Sequence, residues 1–263
     1  MLIDFHTHIF PEKVAPKAIK NLSEKAGGAE PFYDGTQDGL IRYMREYGIG
    51  KAVVLNIATN PGQQRSVNDF AASVNNGPLI AFGSVHPDAV DVLDEIDRIC
   101  ELGLKGIKLH PDYQQFYGDD TKMTPIYEKI ARKGLVLVFH SGVDIGLYPP
   151  VYMTPERLFN ALKPLEGATV VAAHFGGYMM WEKALDILGG QNVYFDTAYS
   201  AGSIPPNIAR RIILEHGADR ILFGSDLPWS HAMEEVTMLR TLGLTQDQLD
   251  KIFYRNAEKV LQI

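Results

Sequence analysis

The sequence contains a single cysteine, which excludes an internal disulfide and therefore a disulfide-stapled fold. Cys100 lies among apolar residues at helical spacing, so we expect it on the buried face of a helix. No run of about 18 apolar residues is present to span a bilayer, and the chain opens with an acidic apolar segment where a signal peptide is basic. We therefore expect a soluble, cytoplasmic protein without a membrane partner.

Basic residues are outnumbered by acidic ones. The 25 lysines and arginines stand against 32 aspartates and glutamates, which gives a formal net charge of −7. No basic run exceeds Arg210–Arg211, so the chain lacks the positive patch that nucleic acid requires. No G-x-G-x-x-G turn follows the first apolar segment, which disfavours a nicotinamide or flavin enzyme. We expect a small-molecule substrate instead.

Eight short segments rich in valine, isoleucine, leucine and phenylalanine recur along the chain, separated by stretches with helical periodicity. This alternation predicts a parallel sheet, and eight units in 263 residues predict an α/β fold, a single (β/α)8 TIM-barrel domain over residues 1–263. An open doubly wound sheet is the alternative. The segments are LIDFHTH from Leu2, AVVLNI from Ala52, LIAFGSV from Leu79, GIKLH from Gly106, LVLVFHS from Leu135, TVVAAHF from Thr169, VYFDTA from Val193 and RILFGSD from Arg220.

Two connections are longer than the others. Residues 9–37 follow the first segment, and residues 142–154 follow the fifth. Both would overhang the C-terminal mouth of the barrel, where barrel enzymes bind substrate, so we expect them to form a lid and pocket walls. The last stretch, residues 246–263, predicts a closing helix with an apolar side.

Four strand ends carry residue types that bind metals, in the same register. Every strand of a parallel barrel ends at the same face, so residues far apart in sequence should converge there. A lone inward histidine is more often a hydrogen-bonded core residue, and it is this coincidence that favours a metal site. The residues are His6 and His8 in the first segment, His140 in the fifth, His174 in the sixth and Asp226 in the eighth.

Alternation along the first strand places His6 and His8 on one side, because side chains two apart on a strand share a side. We expect that side to be the barrel interior, with Ile3 and Phe5 facing outward. Asp4 would then point inward, a turn deeper in the barrel, and would play a structural role.

Imidazoles from two strands and a carboxylate form a nitrogen and oxygen ligand set that suits Zn²⁺, Mn²⁺ or Fe²⁺. Lys108 and His110 on the fourth segment alternate inward and are candidates for binding substrate. Lys108 has three possible roles: it bridges a second metal if carboxylated, binds a substrate carboxylate, or pairs with a barrel carboxylate such as Asp196. Three further histidines fall on loops or helix ends, where we expect solvent: His86, His216 and His231.

The motifs FHTH, VFHSG, AAHFGG and LFGSDLPW resemble the amidohydrolase superfamily in their order and spacing. The GIKLHP motif and the short chain are similar to the branch that includes aminocarboxymuconate semialdehyde decarboxylase and other small decarboxylases, hydratases and hydrolases. The resemblance covers nearly the whole chain, from Ile3 to the RNAEKVL segment that begins at Arg255.

The resemblance implies a metal site with four protein ligands and a histidine beside it that acts as a catalytic group or further ligand. Two-metal members of the superfamily place a carboxylated lysine or a glutamate on strand four, where this chain has Lys108. The decarboxylase branch usually has one metal, so we expect one divalent ion, zinc or manganese. Related barrels often dimerise, which implies a homodimer. The implied ligands are His6, His8, His140 and Asp226, and the neighbouring histidine is His174.

Two reactions suit these ligands. In a hydrolase, which we place first, a metal-activated water attacks an amide, ester or lactone, and Asp226 passes the proton to the leaving group with help from His174. In a decarboxylase, the metal and a nearby cation hold a carboxylate, and an acid delivers a proton to carbon as CO₂ leaves. An inert scaffold barrel would have lost a ligand position, and none is missing.

Loop residues would set the specificity. The cation or donor that a decarboxylase needs would come from Lys108, His110, Arg157 or Arg210. Aromatic residues near the mouth favour an aromatic or planar unsaturated acid. They are Tyr113, Phe116, Tyr148, Tyr152, Tyr178 and Trp229.

Overall fold

The computed structural model describes residues 1–147 and 149–263, so Tyr148, one of the aromatic residues predicted near the mouth, lies outside the described residues. Each of the eight predicted segments contains a β-strand, and the candidate site residues lie near the strand ends, with His8, His110 and His140 directly after one. The strands are β1 Ile3–Thr7, β2 Lys51–Leu55, β3 Leu79–Phe82, β4 Gly106–Leu109, β5 Val136–Phe139, β6 Val170–Ala172, β7 Tyr194–Asp196 and β8 Ile221–Leu222.

The strands form a closed barrel. Two parallel ladders run from β1 to β3 and from β4 to β8. β3 meets β4 where Gly83 pairs with Ile107, and the amide of Lys108 donates to the carbonyl of Gly83 at 2.9 Å. β8 rejoins β1 where the amide of Phe5 donates to the carbonyl of Phe223 at 2.8 Å. The predicted (β/α)8 barrel is confirmed, and the open sheet is wrong.

Helices alternate with the strands, as the periodicity predicted. No helix in the described part of the chain is long and apolar enough to cross a membrane. A π-helical turn, Lys251–Arg255, joins the last two helices. The helices are α1 Ala15–Lys25, α2 Gln37–Tyr47, α3 Gln64–Val74, α4 Val92–Glu101, α5 Pro111–Gln114, α6 Thr124–Lys133, α7 Pro155–Ala161, α8 Trp181–Leu188, α9 Pro206–His216, α10 Ala232–Thr241, α11 Gln246–Asp250 and α12 Asn256–Leu261.

An apolar cluster fills the barrel interior. Phe5 of β1 meets Phe82 of β3 edge-on, with ring centroids 6.0 Å apart, although these strands are not neighbours. Val138 of β5 belongs to the same cluster, as does Leu261 of α12. Lys105, which precedes β4, donates to the carbonyl of Leu261 at 2.5 Å, so the predicted closing helix seals the N-terminal end of the barrel.

The outward orientation predicted for Ile3 and Phe5 of β1 is wrong. Ile3 and Phe5 belong to the interior cluster and do not face outward. The register of β1 against β2 shifts between Asp4 and Thr7, which marks a bulge. Because a bulge interrupts the alternation of side chains, Phe5 and the next residue, His6, both reach the interior side.

Asp4 has the structural role that the sequence predicted, but in another place. Its carboxylate accepts hydrogen bonds from the amide and the hydroxyl of Ser225, at 3.0 and 2.5 Å, and from the amide of His6 at 3.1 Å. These contacts join β1 to the turn after β8. The Asp4 side chain therefore does not point into the barrel with the two imidazoles, as the sequence had predicted. Burial raises the pKa of Asp4 to about 7, against the lowering effect of these hydrogen bonds.

Two of the three histidines expected in solvent are buried, His86 after β3 and His216 at the end of α9, and the third is half-buried. Nδ1 of His216 accepts from the amide of Gly190 at 3.2 Å, and Nε2 donates to the carbonyl of Val193 at 2.8 Å. The ring stacks on Phe195, with centroids 4.0 Å apart. The neutral ring satisfies both contacts, and burial lowers the pKa of His216 to about 4.

The pH dependence of unfolding should show the effect of burying the His216 ring. The pKa of His216 is about 4 when folded, against about 6.5 in an unfolded chain, so its contribution to stability is complete above pH 6.5 and is lost as the pH falls toward 4. His216→Gln should therefore lower the proton uptake on unfolding near pH 5 by about one, measured from urea unfolding between pH 4 and 7. Phe195→Leu, which keeps the imidazole, should lose stability but retain the slope. An unchanged slope in His216→Gln would contradict this account.

Candidate active site

Three of the predicted ligands meet at the mouth of the barrel. Nε2 of His8 lies 3.0 Å, and Nε2 of His6 lies 3.4 Å, from the same carboxylate oxygen, Oδ1 of Asp226. The ligand atoms of all three residues lie within 4.8 Å of one another. The amide of Asp226 donates to the carbonyl of His6 at 2.8 Å, which holds the turn after β8 against β1. Two imidazole nitrogens and a carboxylate oxygen can together hold a divalent ion.

The hydrogen bonds of the two Nδ1 atoms determine which nitrogen of each ring carries the proton. Nδ1 of His8 lies 2.8 Å from the carbonyl oxygen of Leu55, which can only accept, so Nδ1 is protonated. Nδ1 of His6 likewise donates to Oδ2 of Asp196 at 2.8 Å. Both Nε2 atoms therefore present a lone pair toward Asp226, which is the form of histidine that binds a metal. The residues present fit a divalent metal.

Asp196 orients two of the site histidines. Besides the contact with His6, its Oδ1 accepts from the amide of His174 at 2.9 Å and from the amide of Ala198 at 3.1 Å. Sequence reasoning considered Asp196 only as a partner for Lys108. The signal was present, because the VYFDTA segment ends its strand on this aspartate in the register of the other site residues.

Lys108 lies buried on β4 beside the three ligands, with Nζ 3.4 Å from Nε2 of His6. Burial lowers the pKa of Lys108 to about 8, although Asp196 and Asp226 favour its charged form. Burial and the neighbouring Lys108 hold the pKa of His6 well below its usual range. His6 is therefore neutral, as a metal ligand must be.

The predicted fourth ligand, His140, has other contacts. Nδ1 of His174 lies 2.8 Å from the carbonyl oxygen of Ala198 and donates to it, so Nε2 of His174 accepts from Nδ1 of His140 at 3.1 Å. Nε2 of His140 is buried and has no hydrogen-bond partner within the described residues. His140 is not part of the group of three ligands whose atoms lie within 4.8 Å of one another. The structure thus brings three predicted ligands together, with His140 and His174 beside them.

His140 belongs to a second group, with His110 and Asp144, whose ligand atoms also lie within 4.8 Å of one another. The rings of His110 and His140 stack with centroids 4.1 Å apart. The amide of Tyr113 donates to Nδ1 of His110 at 3.4 Å, which leaves the proton on Nε2, 3.3 Å from Oδ2 of Asp144. Because His110 is satisfied as a donor to Asp144, the first group is the better metal site. Asp144 was missed from the sequence because no strand register places it.

The backbone at two site residues has an unusual conformation. Asp226 and His174 have φ angles of +71° and +60°, in the left-handed region that residues other than glycine rarely adopt. Gly224 leaves no room for a side chain, because a Cβ there would lie 2.9 Å from Cβ of His6. The close approach of these two strand ends depends on that glycine.

The ligands lie in a cavity of about 570 Å³. Both long connections supply walls, as predicted: Phe10 and Leu22 come from the first, and Val143 and Ile145 from the second. Most of the lining is apolar. Lys108 is the one lysine or arginine that lines the cavity in the described part of the chain.

The aromatic residues predicted near the mouth divide into two sets. Tyr113, Tyr178 and Trp229 line the cavity. Phe116 is buried in the core, and Tyr152 stacks on a neighbouring tyrosine, with centroids 4.8 Å apart, outside the described lining.

Two of the basic residues considered as carboxylate partners are not in the site. Arg157 pairs with Asp119, and the Nε of Arg210 donates to the carbonyl of Leu242 at 3.1 Å. Neither lines the cavity. That leaves Lys108, with His110 as a neutral donor.

The chain matches one family model in sequence and several solved structures in fold. The family model described as Amidohydrolase matches residues 3–263. The 5-carboxyvanillate decarboxylase LigW from Sphingomonas paucimobilis is 18% identical, with a TM-score of 0.77 over 100% of this chain and 99% of that one. A 2,6-dihydroxybenzoate decarboxylase from Rhizobium is 17% identical, with a TM-score of 0.72 over 99% and 98%. A dihydroxybenzoic acid decarboxylase from Polaromonas sp. JS666, with bound manganese and the inhibitor 2-nitroresorcinol, is 17% identical, with a TM-score of 0.71 over 99% and 96%.

No curated protein matches the chain in sequence. At such low identity the solved structures show a shared barrel fold, and the fit of the residues to a metal rests on the geometry of His6, His8 and Asp226.

The role of Asp196 can be tested through metal affinity. In Asp196→Asn the amide nitrogen cannot accept the Nδ1 proton of His6, so the proton moves to Nε2 and blocks the ligand atom. We expect the affinity for zinc or manganese to fall about 10- to 100-fold, measured by competition with a chelating dye. Asp112→Asn, a buried carboxylate outside the cavity lining, is the matched control. Equal affinities in the two variants would contradict the orienting role.

Proposed function

The chain belongs to the amidohydrolase superfamily of enzymes, and on that premise we propose that it is a metal-dependent, non-oxidative decarboxylase of a small aromatic or unsaturated carboxylic acid. One observation carries the proposal: Lys108, a buried cation, lies beside the candidate ligands in a cavity whose walls are mostly apolar. The sequence had favoured a hydrolase, with the decarboxylase as the alternative. The decarboxylases among the similar structures support placing the decarboxylase before the hydrolase.

We propose one divalent ion, zinc or manganese, held by His6, His8 and Asp226, with His140 as the fourth ligand that the family resemblance implies. The manganese of the Polaromonas structure supports a choice that includes this metal. When bound, such an ion supplies a Lewis acid that stabilises negative charge on substrate oxygens.

The remaining chemistry is assigned to the chain itself. The ammonium of Lys108 receives the substrate carboxylate, and Nε2 of His110 becomes a further donor when it gives up its contact with Asp144. An apolar wall disfavours a charged carboxylate relative to neutral CO₂, so the cavity assists the reaction by excluding water.

The carbon–carbon bond to the carboxylate breaks, and its electron pair remains on the substrate carbon as CO₂ leaves. A proton must then reach that carbon from an acid in the cavity. We assign this transfer to Asp226 and His174, which both line the cavity; each must first take up a proton from solvent or substrate, because Asp226 is ionised and His174 carries its proton on Nδ1. Nδ1 of His174 is held by the carbonyl of Ala198, so Nε2, which accepts from Nδ1 of His140, is the nitrogen that can take up a proton and pass it on.

A hydrolase would use the same groups, with Asp226 as the base. The position of its Oδ1 between two imidazoles at the cavity floor suits that role equally. The two reactions differ in whether the substrate loses CO₂ or is cleaved by water.

Metal-loaded protein should release CO₂ from hydroxybenzoates and related unsaturated acids and leave the matching esters, lactones and amides intact. Lys108→Gln should lower kcat/KM for CO₂ release by about 100-fold or more, because the substrate carboxylate would then be buried without its partner cation. Lys105→Gln is the matched control, since Lys105 lies at the opposite end of the barrel. Ester or amide cleavage without CO₂ release would replace the decarboxylase by the hydrolase.

The wider setting also remains a proposal. We propose a cytoplasmic enzyme with a small-molecule substrate and no nucleic-acid or membrane partner. The homodimer stays a prediction, which sedimentation of the purified protein will test.

A further inference from the structure

Helix α1 presents an apolar face that does not pack on the core. Val14, Ala18, Leu22 and Ala26 recur every four residues, which places them on one side of the helix, and all four line the cavity. Within α1 itself, the buried residue is Ala15. None of the four cavity-lining residues is part of the core cluster or packed against it within the described part of the chain. The cavity is therefore what this apolar face contacts.

Other apolar walls continue this surface away from the ligands. Ile57 follows β2, Val67 and Phe70 lie on α3, and Ile145 lies on the loop after β5. Ile145 is exposed, as is Val14, the N-cap of α1, so two large apolar side chains at the cavity remain open to water. Exposed apolar side chains grouped around a cavity are typical of a binding site.

The volume exceeds what one aromatic ring needs. A dry apolar cavity of roughly 150 Å³ is large enough for benzene. The cavity here is about 570 Å³. A single-ring acid held at Lys108 would leave most of the apolar wall uncovered.

The charges in the cavity also restrict the ligand. Lys108 lies next to His6 and is the one lysine or arginine in the described lining, so the walls along α1 and α3 offer no cation to a second anionic group. Lys25 is exposed at the end of α1, 5.4 Å from the ring centroid of Tyr113, and is not part of the described lining. The outer cavity therefore favours an uncharged ligand.

We propose that the substrate carries an uncharged apolar body longer than a single ring, which lies along α1 and α3, and that its one anionic group is held at Lys108. This inference rests on the proposed function for the identity of the anionic group. It restricts the substrate class to monocarboxylates with an extended alkyl or aryl substituent.

Ligand series test the proposal directly by calorimetric titration. For para-alkylbenzoates with ethyl, butyl and hexyl chains on metal-loaded protein, we expect the Kd to fall about fourfold for each methylene that enters the cavity. Biphenyl monocarboxylate should bind about tenfold or more tightly than the dicarboxylate with a second carboxylate at its far end. Affinities that do not depend on chain length, or tighter binding of the dicarboxylate, would overturn the proposal.

Ala18→Phe fills the proposed channel and should abolish the gain from the hexyl chain, measured relative to benzoate in the same variant. Lys17→Phe is the matched control, because Lys17 is exposed and outside the lining, and it should retain the full gain. An equal loss in both variants would contradict a channel along α1.

Uncharged para-alkylphenols on metal-free protein separate this proposal from the proposed function. A chain-length dependence with phenols, in a protein that releases no CO₂, would support the apolar channel while the decarboxylase fails. CO₂ release without any chain-length dependence, in either series, would overturn the channel and leave the decarboxylase standing.

Discussion

The buried carboxylate of Asp196 is the contact on which the site depends. Asp196 is the last residue of β7. Its carboxylate accepts one hydrogen bond from Nδ1 of His6 in β1 and another from the backbone amide of His174 after β6. One side chain thereby fixes the protonation of one imidazole and the backbone at another. Without this carboxylate, the proton on Nδ1 of His6 would have no acceptor, and nothing would hold the lone pair on Nε2.

The interior of the barrel strengthens these interactions. His6, Asp196 and Lys108 are all almost fully buried, so their charges and dipoles act at a low effective dielectric. Burial also holds the pKa of His6 well below its usual range, which keeps the ring neutral. The same dry surroundings that make the ligands available to a metal would destabilise a substrate carboxylate relative to CO₂. Metal binding and the proposed reaction thus depend on one property of the cavity.

Two long connections convert this barrel end into a selective pocket. α1 contributes an apolar face that lines the cavity and is not packed against the described core cluster. The loop after β5 contributes Asp144, whose carboxylate accepts from Nε2 of His110 and from the amide of Gly146 in its own loop. The polar floor and the apolar walls therefore come from different parts of the chain, and changes in the walls would alter specificity without disturbing the ligands.

The sequence was sufficient to predict the barrel, because all eight apolar segments contain strands and their ends carry the polar residues. It also predicted that His6, His8 and Asp226 would meet. It failed where regular alternation breaks: the bulge in β1 puts Ile3 and Phe5 on the same inward side as the two histidines that follow, and no simple period of two could indicate that. Contacts between distant turns, such as His140 with His174 or the enclosure of His216, depend on loop conformations that periodicity does not encode.

The central claim is that a single metal is bound where His6, His8 and Asp226 converge. Anomalous diffraction from crystals grown with manganese or zinc, collected at the metal edge, would locate the ion directly. We predict one anomalous peak in contact with Nε2 of His6, Nε2 of His8 and the carboxylate of Asp226. A peak at His110, His140 and Asp144 instead, or no peak in metal-supplemented crystals, would contradict the account.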